Sequence, residues 1–176
     1  MVFCSRHGDV ARALELLANV MDNTPLSPTN FGLAVHNATA GLFSIARQDQ
    51  ANQCALAAGQ STIEHGVIEA CSLLADGAQQ VLLVAYDTSL PALFESYRDC
   101  AEQPHAWAWL MVPAGDAPVE LSWTGAGTGF DAAVEAGAGD ISTMPGSLAV
   151  WQFYLNRTDA LERVAERRRW RWSQHA

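Results

Sequence analysis

Residues 57–66, AAGQSTIEHG, place small residues and a polar tip between an apolar run and a helix-patterned one. Strand, tight turn and helix is the arrangement that pushes a nucleophile into a pocket. The tip here is Gln60, between Gly59 and Ser61. A carboxamide has none of the nucleophilicity of a thiolate or an activated hydroxyl. Ser61 resembles the serine of G-x-S-x-G, but Ile63 stands where the second glycine belongs, and a β-branched residue tolerates that strained turn poorly. An N-cap or first-turn serine is the expected role.

Other polar groupings carry less. Glu64, His65 and Glu69 fall near one helix face with His65 and Glu69 four apart, a two-ligand corner without a third ligand nearby. An ordinary helix-surface contact is expected there. His36 and Asn37 are expected to hold loop carbonyls in place. GAGTG at 125–129 has Phe130 where a dinucleotide fingerprint needs its third glycine, so a loop is expected. Cys4, Cys54, Cys71 and Cys100 show no CxxC or Cys/His ligand spacing, which implies neither metal nor cofactor. Cys54 and Cys71 are expected to be buried, reduced thiols.

The elements that must position these residues read as α/β. VFCS at the start is a short buried strand, and residues 8–21 carry Val10, Ala13, Leu14, Leu17 and Val20 at helical spacing. Ser27-Pro28 starts a second helix. FGLAVHNATAGLFSIA follows, with small residues on two sides. NQCALAA (52–58) is a strand, and the helix after it shows Ile63, Val67, Cys71 and Leu74 on its apolar face and ends at Gly77. QVLLVAYD (80–87) is the near-continuous apolar run of a central parallel strand, so the three make a βαβ unit. HAWAWLMV (105–112) and PVELSWT (118–124) alternate and are expected to pair as a hairpin. A Gly/Ala-rich connector follows, then SLAVWQFYL as helix or strand, then RRRWRW as a strand with Trp170 and Trp172 on one face and Arg171 on the other.

With 176 residues, 49% apolar and 16% charged, the chain reads as one globular domain, 1–176. The net charge of -9 argues against nucleic-acid binding. No apolar run approaches the roughly 18 residues of a membrane span, and MVFCSRHGD lacks the features of a secretory signal. A cytoplasmic location is expected. All ten basic residues are arginine, six of them in the last 20 residues.

LSPTNFGLAVHNATAGLFSI followed by Gln60 resembles the N-terminal half of the β-ketoacyl synthases. Asn37, Ala38, Thr39, Ala40 and Gly41 match that family's segment before the elbow strand, and Gln60 follows Gly41 by 19 positions, the family's interval to its catalytic cysteine. LLADGAQQVLLVAYD matches the end of the elbow helix and the next core strand. The resemblance covers residues 24–90 well and residues 100–145 weakly. It implies a thiolase-like half, N-terminally shortened, with Gln60 on the nucleophile's position. It implies no catalytic residue, because the paired histidines of the family's second half are also lacking.

Glutamine at that position resembles the chain-length factors of type II polyketide synthases, and most of all those of bacterial aryl polyene pathways. The resemblance implies a non-catalytic subunit that forms a heterodimer with an active β-ketoacyl synthase and helps set product length. Strand 52–58, with Cys54 and Leu56, and helix 38–47 are then expected at the partner. An acyl carrier protein is the indirect partner, touched by Arg163, Arg167, Arg168, Arg169 and Arg171. The alternatives are a malonyl-thioester decarboxylase, a serine hydrolase using Ser61, and a homodimeric scaffold.

Overall fold

The structure, a computed structural model, describes residues 1–125 and 143–174. The N-terminal strand β1 (Val2–Cys4) is followed by three helices, α1 (Val10–Met21), α2 (Pro28–Ala34) and α3 (Ala38–Arg47). Strand β2 (Cys54–Leu56) runs through a 3-10 turn, Gly59–Ser61, into helix α4 (Thr62–Ala75) and then β3 (Val81–Asp87). β4 (His105–Met111) and β5 (Val119–Gly125) precede α5 (Gly146–Leu155), β6 (Ala160–Ala165) and β7 (Arg168–Gln174).

The expected βαβ unit is present, and β1 lies inside it. The first sheet has the order β2-β1-β3-β4, with β1 parallel to both neighbours and β4 antiparallel to β3. The crossover through α4 therefore passes over β1. Val2 and Cys4 share a face with Leu83 and Ala85, and α4 covers that face with Ile63, Val67 and Ala70. Close approach depends on Gly66, where a Cβ would overlap the Cys4 sulfur and press on Leu83 Cδ1 at 3.2 Å. The opposite face holds Phe3, whose ring meets Phe43 of α3 edge-on at 5.5 Å. α4 ends as its sequence indicates. Gly77, at φ +102, donates its N–H to the Leu74 carbonyl while Ala78 donates to that of Leu73.

The two alternating runs do not form the expected hairpin. β4 pairs along its length with β3, and β5 joins a separate sheet of order β5-β7-β6. Alternation gives a strand its period but leaves its partner open. β3 has an unfilled edge and β4 closes it, carrying Trp107 into the core, where it stacks on Trp151 of α5 at 5.1 Å. Residues 147–155 are helical, and Val150 and Phe153 of that helix are buried. β7 alternates as expected: Trp170 and Trp172 are buried, while Arg169 and Arg171 face outward.

Two helix faces differ from expectation. In α1 the buried residue is Leu16, and Leu17 and Val20 are exposed. In α4, Cys71 is exposed, because the buried stripe runs through Ile63, Val67 and Ala70 and leaves position 71 on the outer side. Cys54 is only half-buried, and Cys4 and Cys100 are the buried thiols. The GAGTG loop beyond Gly125, most of the connector and His175 lie outside the described residues. No described helix is long and apolar enough to cross a membrane.

Gly66→Ala forces α4 away from β1 and should destabilise the chain by about 1–3 kcal/mol, as overpacking does. The midpoint of urea unfolding checks this, and an unchanged midpoint would mean the helix is not seated on Cys4.

Candidate functional site

The bend between β2 and α4 is built from small and hydroxylated residues. Gly59 takes φ +54, a conformation that favours glycine, and begins the 3-10 turn. Thr62 Oγ1 accepts from the Ala58 N–H at 2.9 Å and donates to the Gly59 carbonyl at 2.7 Å. Ser61 Oγ donates to the Ala58 carbonyl at 3.0 Å. Two side chains thus satisfy the main chain around the bend, and Gln60 stands on it, half-buried, at the entrance to α4.

A second group of residues arrives from the β6–β7 hairpin. The Arg163 guanidinium pairs with Glu64, which is wholly buried, and its Nη2 donates to the Gln60 carbonyl at 3.1 Å. Trp172 Nε1 donates to the same Glu64 oxygen at 3.3 Å. Glu166, in the hairpin turn, accepts the Gln60 N–H at 3.1 Å. Arg168 Nη1 reaches His65 Nε2 at 3.2 Å, and the Trp170 ring packs edge-on against His65 at 5.3 Å.

The His65 contacts fix its proton. Arginine only donates, so Nε2 accepts, and the proton is on Nδ1, 2.9 Å from the Ser61 carbonyl that accepts it. Ser61 Oγ lies 3.1 Å from the same Nδ1, but no ring nitrogen remains to take its proton. That geometry does not activate a serine. The expected contact between His65 and Glu69 is replaced by these bonds, and among the described residues no group of three or more His, Cys, Asp or Glu side chains could hold a metal ion.

Beneath Gln60 lies a cavity of about 290 Å³, bounded by Cys4, Arg6, Ile63, Asp87, Cys100 and Arg163 among others. Arg6 follows β1 and Asp87 ends β3, so the C-terminal ends of two adjacent parallel strands bring them together. Arg6 Nε contacts Asp87 Oδ2 at 3.3 Å, while Ser5 Oγ and the Arg6 N–H both donate to Oδ1 at 2.9 Å. Asp99 and Glu102 complete the ring around the guanidinium. Burial works against the Arg6 charge, but Asp99, Cys100 and Asp87 outweigh it and hold its proton more firmly than usual. Burial pushes the Cys4 thiol up to about 12, and Cys54 and Asp87 add to the effect. Burial likewise raises Cys100 to about 11, with Arg6 opposing and Asp99 reinforcing. Both cavity thiols are protonated at neutral pH, and burial also raises that of Cys54.

Apart from Arg163, the other residues singled out in the sequence do not line this cavity. Asn37 occupies the N-cap position of α3 without a side-chain capping bond, and Ala40 turns inward in that helix. Ala38 and Gly41 are half-buried and Thr39 is exposed. Cys54 and Leu56 pair with β1 on the sheet edge. His36 Nε2 meets the Ser5 carbonyl at 2.8 Å, the loop-holding role expected of it. Of the five tail arginines, Arg163 and Arg168 point inward to the elbow rather than outward to a partner. Arg169 and Arg171 are about half exposed and pair with Glu162 at 3.5 and 2.9 Å, and Arg167 is exposed in the turn. Sequence reasoning missed Arg6, Asp87 and Glu166. Charged residues ending two apolar parallel strands signal the first two, but a glutamate in a hairpin turn carries no comparable signal.

The family described as beta-ketoacyl synthase, N-terminal domain, matches residues 1–173. Among solved structures, one chain of the ketosynthase (ApeO) in complex with its chain length factor (ApeC) from Xenorhabdus doucetiae is similar to this chain. The TM-score is 0.79 at 24% identity, over 98% of this chain and 68% of that one. No curated protein matches.

Removing the cation from a buried pair strands the anion. Arg163→Met should cost about 3–5 kcal/mol, and adding Glu64→Gln should recover much of that. Urea unfolding of the two single variants and the double measures the coupling; strictly additive losses would show that the two side chains do not act as a pair.

Proposed function

This chain belongs to the β-ketoacyl synthase N-terminal-domain family and has its thiolase-like fold, and from that premise we propose that it is a non-catalytic member, a chain-length factor that pairs with an active β-ketoacyl synthase. The observation that carries the reading is the amide of Gln60 at the elbow, where condensing chemistry needs a thiolate to hold an acyl group as a thioester. The cavity offers no substitute, since Cys4 and Cys100 are held protonated. The hydrolase reading loses support from His65, whose proton is on the wrong nitrogen to act on Ser61.

A partner is supported from the outer surface. α1, α2 and α3 leave Leu17, Met21, Phe31, Leu42 and Ile45 exposed, five large apolar side chains on three consecutive helices. Gly32 and Gly41 sit within α2 and α3, and a Cβ at either would meet nothing within 4 Å. An interior helical glycine costs about 1 kcal/mol relative to alanine, and among the described residues that cost has no packing return. Close approach of a second backbone supplies one. The β2 edge, with Ala55 on its open side, adjoins the same partner. The likeness to a chain from a ketosynthase–chain length factor complex supports a ketosynthase as that partner, and the resemblance of the sequence around Gln60 to chain-length factors supports aryl polyene or polyketide assembly as the setting. An acyl carrier protein would then be met through the complex, with Arg169 and Arg171 as its outward-facing contacts.

Co-expression with a β-ketoacyl synthase should yield a heterodimer by size exclusion. Gly41→Leu fills open space, so it should leave the isolated fold intact while reducing the co-purified partner roughly tenfold. Equal recovery with Gly41→Leu would remove α3 from the interface. Carbon dioxide release from a malonyl carrier by this chain alone would replace the reading with a decarboxylase, and a stable dimer of this chain indifferent to the ketosynthase would replace it with a scaffold.

A further inference from the structure

We propose that the Gln60 main-chain N–H is a seat for a negatively charged or polarised oxygen, that the chain fills this seat with its own Glu166 carboxylate, and that the β6–β7 turn thereby closes the elbow to acyl thioesters. This deepens the non-catalytic reading and rests on it: the elbow would lack its acyl-oxygen site as well as its nucleophile.

Four observations converge on Glu166. The N–H of Gln60 lies just ahead of α4, among main-chain donors that have no partner within the helix and that carry its positive end. Enzymes aim such donors at the oxygen of a reacting carbonyl. In this chain Glu166 Oε1 occupies the position, 3.1 Å from the nitrogen. Secondly, Gly59 makes room for it, because a Cβ there would overlap the carboxylate.

The third observation is the turn itself. Ala165 and Arg168 pair across a two-residue loop, and both loop residues, Glu166 and Arg167, have positive φ, at 50 and 58 degrees. A loop of that geometry favours Asn-Gly, and each L side chain forced into it costs about 1–2 kcal/mol. Strain kept in place of the favoured pair is the mark of a side chain with a task. The fourth is Arg163, which takes the Gln60 carbonyl while Glu166 takes its N–H, so one hairpin holds both polar main-chain groups of one residue. Glu64 neutralises Arg163, and Arg168 is directed to His65, so the carboxylate at the seat is that of Glu166.

Restoring a thiol at the elbow is therefore insufficient for acylation. The test uses the full chain in a Cys71→Ser background, which removes the exposed native thiol. Gln60→Cys and Gln60→Cys/Glu166→Ala are each incubated with an acetyl thioester of N-acetylcysteamine and followed by intact mass. In the step, the new thiolate adds to the thioester carbonyl carbon and a carbon–sulfur bond forms. The bond to N-acetylcysteamine breaks, that thiolate takes a proton from water, and the acetyl group stays on the protein. Acylation should be roughly tenfold or more faster in the double variant, the scale of one oxyanion donor; equal rates overturn the proposal. A companion measurement needs no new thiol. Glu166→Ala alone should speed hydrogen exchange of the Gln60 amide severalfold and leave the amides of Val67 and Ala70 unchanged. No change at Gln60, or a general loosening of α4, also overturns it. Neither readout involves a ketosynthase, so failure here is distinct from failure of the heterodimer.

Discussion

A carboxylate entirely out of water, Glu64, lies in the first turn of the helix that bears the elbow. Such a group is tolerated only beside a cation and a donor. Both come from the far end of the chain, Arg163 from 99 residues away and Trp172 from 108. That requirement fixes much of the rest. The β6–β7 hairpin must come to rest against α4, with its tryptophans inward, and once it does so its turn lies over Gln60. The elbow's geometry is thus set jointly by the turn residues around it and by a buried charge pair nearby.

The first half of the chain was largely legible because its signals are local. Ser27-Pro28 starts α2 and Gly77 closes α4 through bonds a few residues long, and the apolar run at 80–87 could only be an inner strand. The second half depends on pairings that period alone does not choose. Residues 105–112 and 118–124 both alternate and are close in sequence, yet each finds a more distant or better-shaped partner. At the site, the strand–turn–helix junction around Gln60 was visible in the residues 57–66. The inward turn of Arg163 and Arg168 was not, since a run of arginines reads as a solvated face until the acid buried beneath it is known. Leu16 and Cys71 show the same limit at helix scale: neighbouring apolar positions are ambiguous by one residue until the surface they pack against is fixed.

The molecule has two unlike sides. Around α4, most polar groups find partners: the Thr62 hydroxyl the bend, Arg163 one oxygen of Glu64, Arg6 its ring of carboxylates, with Glu64 Oε2 left without a hydrogen bond among the described residues. Over α1 to α3 the chain presents aliphatic side chains and helical glycines without partners of its own among the described residues. The inner side restrains chemistry, and the outer side leaves contact area open.

The brevity of β2 has a bearing on what can join that outer side. Three residues paired to β1 leave Ala55 as the residue whose main-chain groups point away from the sheet. So short a rim offers too little ladder to capture passing extended chains. Backbone capture at that edge is therefore confined to the bonds of a single residue, and any surface that covers it has to gain its hold from shape rather than from a ladder.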